Sequence, residues 1–147
     1  MKTLLVENND FDELFKAAAE IIRFAAGNRV IALQGDLGAG KTTLIQLLCR
    51  NLGVNETVSS PSFTIINEYH SDSGLPVYHL DMYRLEKESD ALQLGLDELF
   101  RNEGWIFIEW PEKIESWLPE NFVSLKIEVD PYTKTRTITF RNVEIVY

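Results

Sequence analysis

Cysteine is nearly absent from this sequence, since Cys49 is the only one among its 147 residues. A single thiol cannot form a disulfide within the chain, so no internal disulfide holds the fold together. Cys49 lies in a segment with helical spacing of apolar residues. We therefore expect it to be a small buried hydrophobic residue rather than a reactive thiol.

Long hydrophobic runs are also missing from the sequence. No apolar stretch approaches the roughly 18 residues that a membrane-spanning helix needs. Neither end of the sequence carries a signal peptide or a lipidation motif. We therefore expect a cytoplasmic protein that has no contact with a membrane. The 147 residues suffice for one domain with one core, so we assign residues 1–147 to a single domain.

Basic residues are scarce, with 14 Lys and Arg against 23 Asp and Glu and a net charge of -9. A surface that grips nucleic acid by itself needs clustered Lys and Arg, which release counterions from the phosphates. This balance argues against direct binding of nucleic acid. The acidity serves solubility or matches a basic partner.

The chain is organised around a glycine-rich loop at residues 35–42, Gly-Asp-Leu-Gly-Ala-Gly-Lys-Thr. It fits the pattern G-x-x-x-x-G-K-S/T of phosphate-binding loops. Its glycines permit unusual dihedral angles and leave no Cβ in the way, so several backbone N–H groups can point at one phosphate. Lys41 is placed to reach the β- and γ-phosphates and to act in catalysis, and the Thr42 hydroxyl is placed to bind Mg²⁺. We predict nucleotide contacts from Gly35, Asp36, Leu37, Gly38, Ala39, Gly40, Lys41, Thr42 and Thr43.

The segments around the loop support this interpretation. Residues 29–34 are a short apolar run that predicts a buried strand, and residues 42–52 have the spacing of a helix. Strand-like and helix-like segments along the rest of the chain predict an α/β fold of the P-loop NTPase type. We expect a mixed, mainly parallel sheet with helices on both faces and a C-terminal antiparallel meander. In that meander, strands are expected at residues 122–129 and 135–140, with a possible third at residues 143–146.

A first helix is predicted near the start of the chain. Asp10 is expected to cap it, with Glu13 as its partner in a capping box. Apolar residues at helical spacing are expected to keep one face for the core. They are Phe11, Leu14, Phe15, Ala18, Ile21, Ile22 and Ala25.

Two acidic residues follow apolar strand-like segments. Asp81 ends residues 77–81 and Glu109 ends residues 105–109. Ligands bind at the carboxyl ends of strands in open α/β sheets, and a P-loop enzyme needs a second acid for Mg²⁺. We therefore predict Asp81 as a metal ligand, and Glu109 as a catalytic acid that either binds Mg²⁺ through water or orients the attacking water. The alternatives are a turn-capping aspartate and a solvent-facing strand end.

Further candidates lie in the neighbouring loops. A Pro-containing loop at residues 60–62 follows the predicted loop helix, and Ser62 or Thr64 could sense the γ-phosphate as a switch does; an ordinary loop is the alternative. Arg84 could bind phosphate, pair with an acid or contact a partner. We interpret His79 as a structural residue of its strand.

Several classes of P-loop protein lack support. There is no Asn-Lys-x-Asp sequence to read guanine, no Leu-Ser-Gly-Gly-Gln of ABC ATPases and no Arg-rich lid of a small-molecule kinase. An ATPase, a nucleotide-dependent binding switch with incidental hydrolysis and a small-molecule phosphotransferase therefore all remain open at this point.

Five segments together resemble the bacterial TsaE family over roughly residues 10 to 118. In addition to the loop at residues 35–43, they are Ser-Pro-Ser-Phe-Thr at 60–64, His-Leu-Asp-Met-Tyr-Arg at 79–84, Leu-Gly-Leu at 94–96 and Ile-Glu-Trp-Pro at 108–111. The loop alone is generic, whereas the combination with His-x-Asp-x-Tyr-Arg and Glu-Trp-Pro is specific. One departure is Ser62, where many members carry Thr. Ser62 keeps the hydroxyl, so the departure concerns the rigidity of the switch.

The resemblance implies a P-loop ATPase that binds ATP or ADP with Mg²⁺ and hydrolyses ATP weakly alone. It implies two partners, a threonylcarbamoyl transferase subunit and its inactive paralogue, which modify the adenosine beside the anticodon of tRNAs reading codons that begin with A. The ATPase does not itself transfer the group, and it meets tRNA only indirectly, through the complex. By motif, Thr42 and Asp81 match the Mg²⁺ positions, and Glu109 matches the family's functional acid.

Overall fold

The computed structural model describes residues 1–7, 10–59, 61 and 66–144. Its single sheet has seven strands in the order β1-β7-β6-β2-β5-β4-β3. The strands are β1 Lys2–Val6, β2 Val30–Gln34, β3 Ile66–His70, β4 Pro76–Asp81, β5 Trp105–Glu109, β6 Asn121–Val129 and β7 Arg136–Glu144. The helices are α1 Phe11–Phe24, α2 Lys41–Asn51 and α3 Leu96–Arg101, with 3-10 helices at Glu88–Leu94 and Pro111–Trp117.

The sheet is mixed, and five of its strands run in one direction. β2 pairs in parallel with β5 and β6, and β5 pairs in parallel with β4. β7 lies antiparallel between β1 and β6, and β3 lies antiparallel to β4. Strands β1, β6, β2, β5 and β4 therefore share one direction, which confirms the mainly parallel sheet. The carboxyl ends of β2, β4, β5 and β6 meet at the same edge.

Helices cover both faces of the sheet, as predicted. Helices α1 and α2 pack on one face, where Ile21, Leu44 and Phe107 belong to one buried cluster. The 3-10 helices and α3 pack on the other face, where Leu96, Ile108 and Ile114 belong to a second cluster. β2, in the middle of the sheet, is buried on both sides, as a continuous apolar strand requires.

Helix α1 begins where the sequence predicts, but two details differ. Asp10 Oδ1 accepts hydrogen bonds from the N–H groups of Asp12 and Glu13 at 2.9 and 3.2 Å, which confirms the cap. The Glu13 carboxylate, however, accepts from the N–H of Glu7 at 3.3 Å. Phe11 and Phe15 are 65% and 38% exposed, because the buried stripe runs along other positions of the helix. Those positions are Leu14, Ala17, Ala18 and Ile21.

The C-terminal part of the sheet is a hairpin of β6 and β7, with β1 added on its outer side. Val143 continues β7 as far as Glu144, so a separate strand beginning at residue 143 was a wrong prediction; residues 145 and 146 lie outside the described residues. The hairpin sets Val129 opposite Arg136 at the edge where the parallel strands end. This register carries Arg136 toward the glycine-rich loop.

Cys49 is buried in α2, and burial raises the pKa of its thiol to about 12, as a buried hydrophobic position implies. In the part of the chain that the structure describes, no helix has both the length and the apolar character that crossing a bilayer requires.

Candidate functional site

The glycine-rich loop joins β2 to α2 and forms a tight turn. Gly38 and Gly40 adopt φ angles of 81° and 100°, a region that favours glycine. A Cβ on Gly35 would lie 2.8 Å from the Ile127 carbonyl oxygen, so only glycine fits against β6 there. Gly40 caps α2 without a side-chain hydrogen bond, and the first N–H groups of an α-helix have no partner within the helix. This backbone suits an anion.

Lys41 is the first residue of α2, and its side chain folds back over its own loop. Its Nζ donates a hydrogen bond to the Gly35 carbonyl at 2.6 Å and lies 3.8 Å from the centroid of the Trp110 ring. Burial lowers the pKa of Lys41, and the surrounding carboxylates act against that shift, with Glu109 the strongest among them. The ammonium therefore stands in the loop, held by a carbonyl that a phosphate oxygen could replace.

Glu109 is 3% exposed at the end of β5 and is in hydrogen-bonding range of Thr42 and His79. The hydroxyl of Thr42 donates toward its two carboxylate oxygens at 3.4 and 3.3 Å. His79 Nε2 lies 2.6 Å from Glu109 Oε2, and His79 is fully buried. His79 Nδ1 is buried without a hydrogen-bond partner among the described residues. The carboxylate of Glu109 is thus fixed between the loop helix and β4.

Asp81 lies beside Glu109, because the two residues are in register across the parallel strands β4 and β5. Its Oδ1 accepts a hydrogen bond from the N–H of Tyr83 at 3.1 Å. Burial raises the pKa of the Asp81 carboxyl, the Tyr83 hydrogen bond opposes this, and the charge of Glu109 raises it further. Two carboxylates at one sheet edge make a region that favours a cation.

The donor set fits a magnesium ion that arrives with a nucleotide. Within the described ranges, no group of three or more His, Cys, Asp or Glu side chains could hold a metal by itself. Mg²⁺ usually keeps several waters and takes one or two carboxylates together with substrate phosphates. The Thr42 hydroxyl and the carboxylates of Asp81 and Glu109 are the groups that would hold it, directly or through water.

Two adjoining cavities surround the loop. The first, called the phosphate cavity here, has a volume of about 400 Å³. It is lined by Leu37, Gly38, Gly40, Lys41, Thr42, Thr43, Asp81, Tyr83, Glu109, Trp110 and Arg136. The second, called the outer cavity, has about 600 Å³. It is lined by Gln34, Gly35, Asp36, Leu37, Gly38, Ala39, Trp110, Glu112, Lys126, Ile127, Glu128, Val129 and Pro131.

The fold brings most of the predicted site residues together. The nine residues of the loop and its first helical turn all line one of the two cavities, and Asp81 and Glu109 line the phosphate cavity. Arg84 is exposed and lines neither cavity, so its nucleotide contact stays a prediction. Ser62 and Thr64 lie outside the described residues, and their predicted switch role also stays open.

Three residues of the site escaped the sequence-based assignment of chemical roles. His79 contacts Glu109, Trp110 lies against Lys41, and Arg136 donates a hydrogen bond to the Ala39 carbonyl at 3.1 Å. The alternation of a strand places His79 on the same face as Asp81, two residues on, but does not reveal that β4 lies beside β5. No local sequence pattern predicts that Arg136 of β7 contacts the glycine-rich loop.

Trp110 also has an uncommon backbone. Its φ and ψ angles are 58° and 52°, the left-handed region, where a non-glycine residue costs on the order of 1 kcal/mol or more. This conformation lies at the junction between β5 and the 3-10 helix that Pro111 begins. The turn that follows Glu109 thereby puts the indole ring under Lys41 and 5.1 Å from the Tyr83 ring.

The fold and the site define a class, that of α/β proteins in which a glycine-rich P-loop follows a central strand and opens a helix at the carboxyl edge of the sheet. Comparison with known sequences is more specific. The sequence model of the family described as "Threonylcarbamoyl adenosine biosynthesis protein TsaE" matches residues 8–138. The chain belongs to the TsaE family.

Individual relatives agree with this membership. The chain is 46% identical over 114 residues to "tRNA threonylcarbamoyladenosine biosynthesis protein TsaE" of Bacillus subtilis, a match that covers 77% of this chain and 70% of that protein. It is 43% identical over 100 residues to the protein of the same name from Nostoc, covering 65% of this chain and 60% of that relative. The crystal structure of Bacillus subtilis YdiB matches with a TM-score of 0.72 and 34% identity, covering 98% of this chain and 87% of that one.

Proposed function

We propose that this protein binds ATP with Mg²⁺ and hydrolyses it in support of tRNA threonylcarbamoyladenosine biosynthesis. The observation that carries the ATPase part is the convergence of Lys41, Thr42, Asp81 and Glu109 on one cavity beside the glycine-rich loop. An ammonium, a hydroxyl and two carboxylates in that arrangement match the needs of phosphoryl transfer to water. Membership of the TsaE family supports the biosynthetic part.

In this proposal the side chains of the site have different tasks. The loop N–H groups and the ammonium of Lys41 hold the phosphates and neutralise their charge. Thr42 and Asp81 would hold Mg²⁺, which would add to the neutralisation of the phosphate charge. Glu109, fixed by His79 and Thr42, faces the cavity as the acceptor that orients the attacking water or, through water, holds the metal.

The family membership, rather than the geometry, supports the partners proposed here. We propose a threonylcarbamoyl transferase subunit and its inactive paralogue, which carry out the transfer while this chain supplies ATP hydrolysis. The net charge of -9 is consistent with an indirect role toward tRNA, because an acidic surface repels the phosphate backbone. The protein is proposed to act in the cytoplasm.

A reconstitution tests the proposal. The purified chain is mixed with the two partner subunits, tRNA, an activated threonylcarbamoyl donor, ATP and Mg²⁺. Phosphate release and threonylcarbamoyladenosine formation are measured together. We expect sustained modification over repeated turnovers only with this chain and ATP, and weak binding of tRNA to this chain alone. Modification that continues unchanged without the chain would contradict the biosynthetic role. Tight, salt-sensitive binding of tRNA to the isolated chain would contradict the indirect role.

A further inference from the structure

Arg136 reaches the phosphate cavity from the far end of the sequence. It is the first residue of β7, and the β6–β7 hairpin sets it against the loop. Its Nε donates a hydrogen bond to the Ala39 carbonyl at 3.1 Å, and a Cβ built on Gly40 would lie 3.2 Å from the same nitrogen. The partly buried guanidinium is therefore packed against the loop backbone, immediately before α2 begins.

Arg136 shares the phosphate cavity with three other charged side chains. Its lining contains two carboxylates, Asp81 and Glu109, and two cations, Lys41 and Arg136. The lining of the outer cavity does not include Arg136. Arg136 thus shares its cavity with the proposed metal and water side, where the terminal phosphate of ATP would lie.

The chemistry of the side chain suits that place. The Nε of the guanidinium donates to the Ala39 carbonyl, and the group carries further N–H donors on its two terminal nitrogens. Its planar fork matches the oxygens of a phosphate, and its charge does not depend on pH in the range of protein chemistry. Charge that develops on the terminal phosphate during transfer is stabilised by a cation already in place.

We propose that Arg136 is a second phosphate-binding cation, supplied within the chain, which contacts the terminal phosphate of ATP while its Nε braces the loop at Ala39. This inference rests on the proposed function, since it requires that the phosphate cavity takes ATP. The competing role is bracing alone, in which Arg136 shapes the loop and touches no phosphate.

Nucleotide affinity separates the two roles. Dissociation constants for ATP and for ADP are measured with Mg²⁺ by calorimetry on the 147-residue chain and three variants. Arg136→Gln removes the charge, and Arg136→Lys keeps it on a different shape. Arg141→Gln is the matched control. Arg141 is an exposed arginine of the same strand, and its side chain lines neither the phosphate cavity nor the outer cavity.

We expect Arg136→Gln to weaken ATP binding by roughly tenfold or more, as loss of a charge-assisted bond implies. ADP binding should weaken much less in this variant. Arg136→Lys keeps the charge but not the planar fork, so it should lose less ATP affinity than Arg136→Gln, and Arg141→Gln should match the wild type. Equal losses for ATP and ADP in Arg136→Gln would leave only the brace and overturn the proposal. Equal affinities in Arg136→Gln and Arg141→Gln would also overturn it. A wild type that binds neither nucleotide would instead contradict the proposed function.

Discussion

The Nε2 atom of His79 lies 2.6 Å from Oε2 of Glu109, and both side chains are buried. The two residues come from adjacent parallel strands, β4 and β5. A buried carboxylate needs such a partner, because burial without one carries a desolvation cost of several kcal/mol. The pair fixes the acid beside Thr42 and next to Asp81.

Glu109→Gln is expected to preserve ATP binding and to lower hydrolysis by roughly 100-fold, because the amide keeps the shape and removes the carboxylate that orients water. ATP affinity with Mg²⁺ and phosphate release with the partner subunits are measured on the same preparation. Glu112→Gln is the control, since Glu112 is exposed and lines the outer cavity but not the phosphate cavity. Hydrolysis at the wild-type rate would make Glu109 a structural strand end, and loss of binding as well would make it a metal-site residue.

His79→Leu is expected to lower the free energy of unfolding by about 3 kcal/mol, since it leaves the Glu109 carboxylate buried without its partner. In a Glu109→Gln background the same change should cost less by about 1 kcal/mol or more, because no charge then remains to be satisfied. Urea unfolding of the two single variants and the double variant measures this coupling. Losses that simply add would show that the contact between the two side chains carries no energy of its own.

Asp81→Asn is expected to stabilise the protein at neutral pH while weakening the binding of ATP with Mg²⁺. Burial raises the pKa of Asp81 in the folded state. Between the ordinary carboxyl pKa and this raised value, the folded chain binds a proton that the unfolded chain has released, so stability decreases as the pH rises through that window. The amide removes this loss and keeps an oxygen for the Tyr83 hydrogen bond.

Asp130→Asn provides a comparison of opposite sign. Hydrogen bonds from the N–H groups of Thr133 and Tyr132 lower the pKa of Asp130, so its stabilising effect is present above the ordinary carboxyl pKa and is lost as the pH falls. Thermal melts of both variants across acidic and neutral pH test the pair. A gain for Asp81→Asn that persists unchanged below the ordinary carboxyl pKa would contradict the electrostatic cause.

Local patterns were sufficient to predict the parts of the site that lie close together along the chain. The loop, the strand before it and the helix after it occupy consecutive residues, so the motif carries their geometry. Asp81 and Glu109 could be assigned to the same edge because the carboxyl ends of parallel strands meet there. Their side-by-side register follows from the pairing of β4 with β5.

The other contacts depend on tertiary structure. Arg136 is separated from Ala39 by 97 positions in sequence, and only the register of the β6–β7 hairpin brings the two together. The contact between His79 and Glu109 requires that β4 and β5 be neighbours, which alternation within either strand does not reveal. Phe11 and Phe15 satisfied a helical period, yet the packing of α1 against α2 buried a different stripe.

Calorimetric titration of ATP with Mg²⁺ into the wild type and into Lys41→Ala tests the central claim most directly, with Lys16→Ala on the exposed side of α1 as the charge-matched control. Lys41 places the ammonium that neutralises phosphate charge, so we expect saturable binding by the wild type and by Lys16→Ala. In a folded Lys41→Ala we expect a loss of affinity of at least about 100-fold. Equal affinity in a folded Lys41→Ala, or no binding by the wild type, would contradict the assignment of this loop as the nucleotide site.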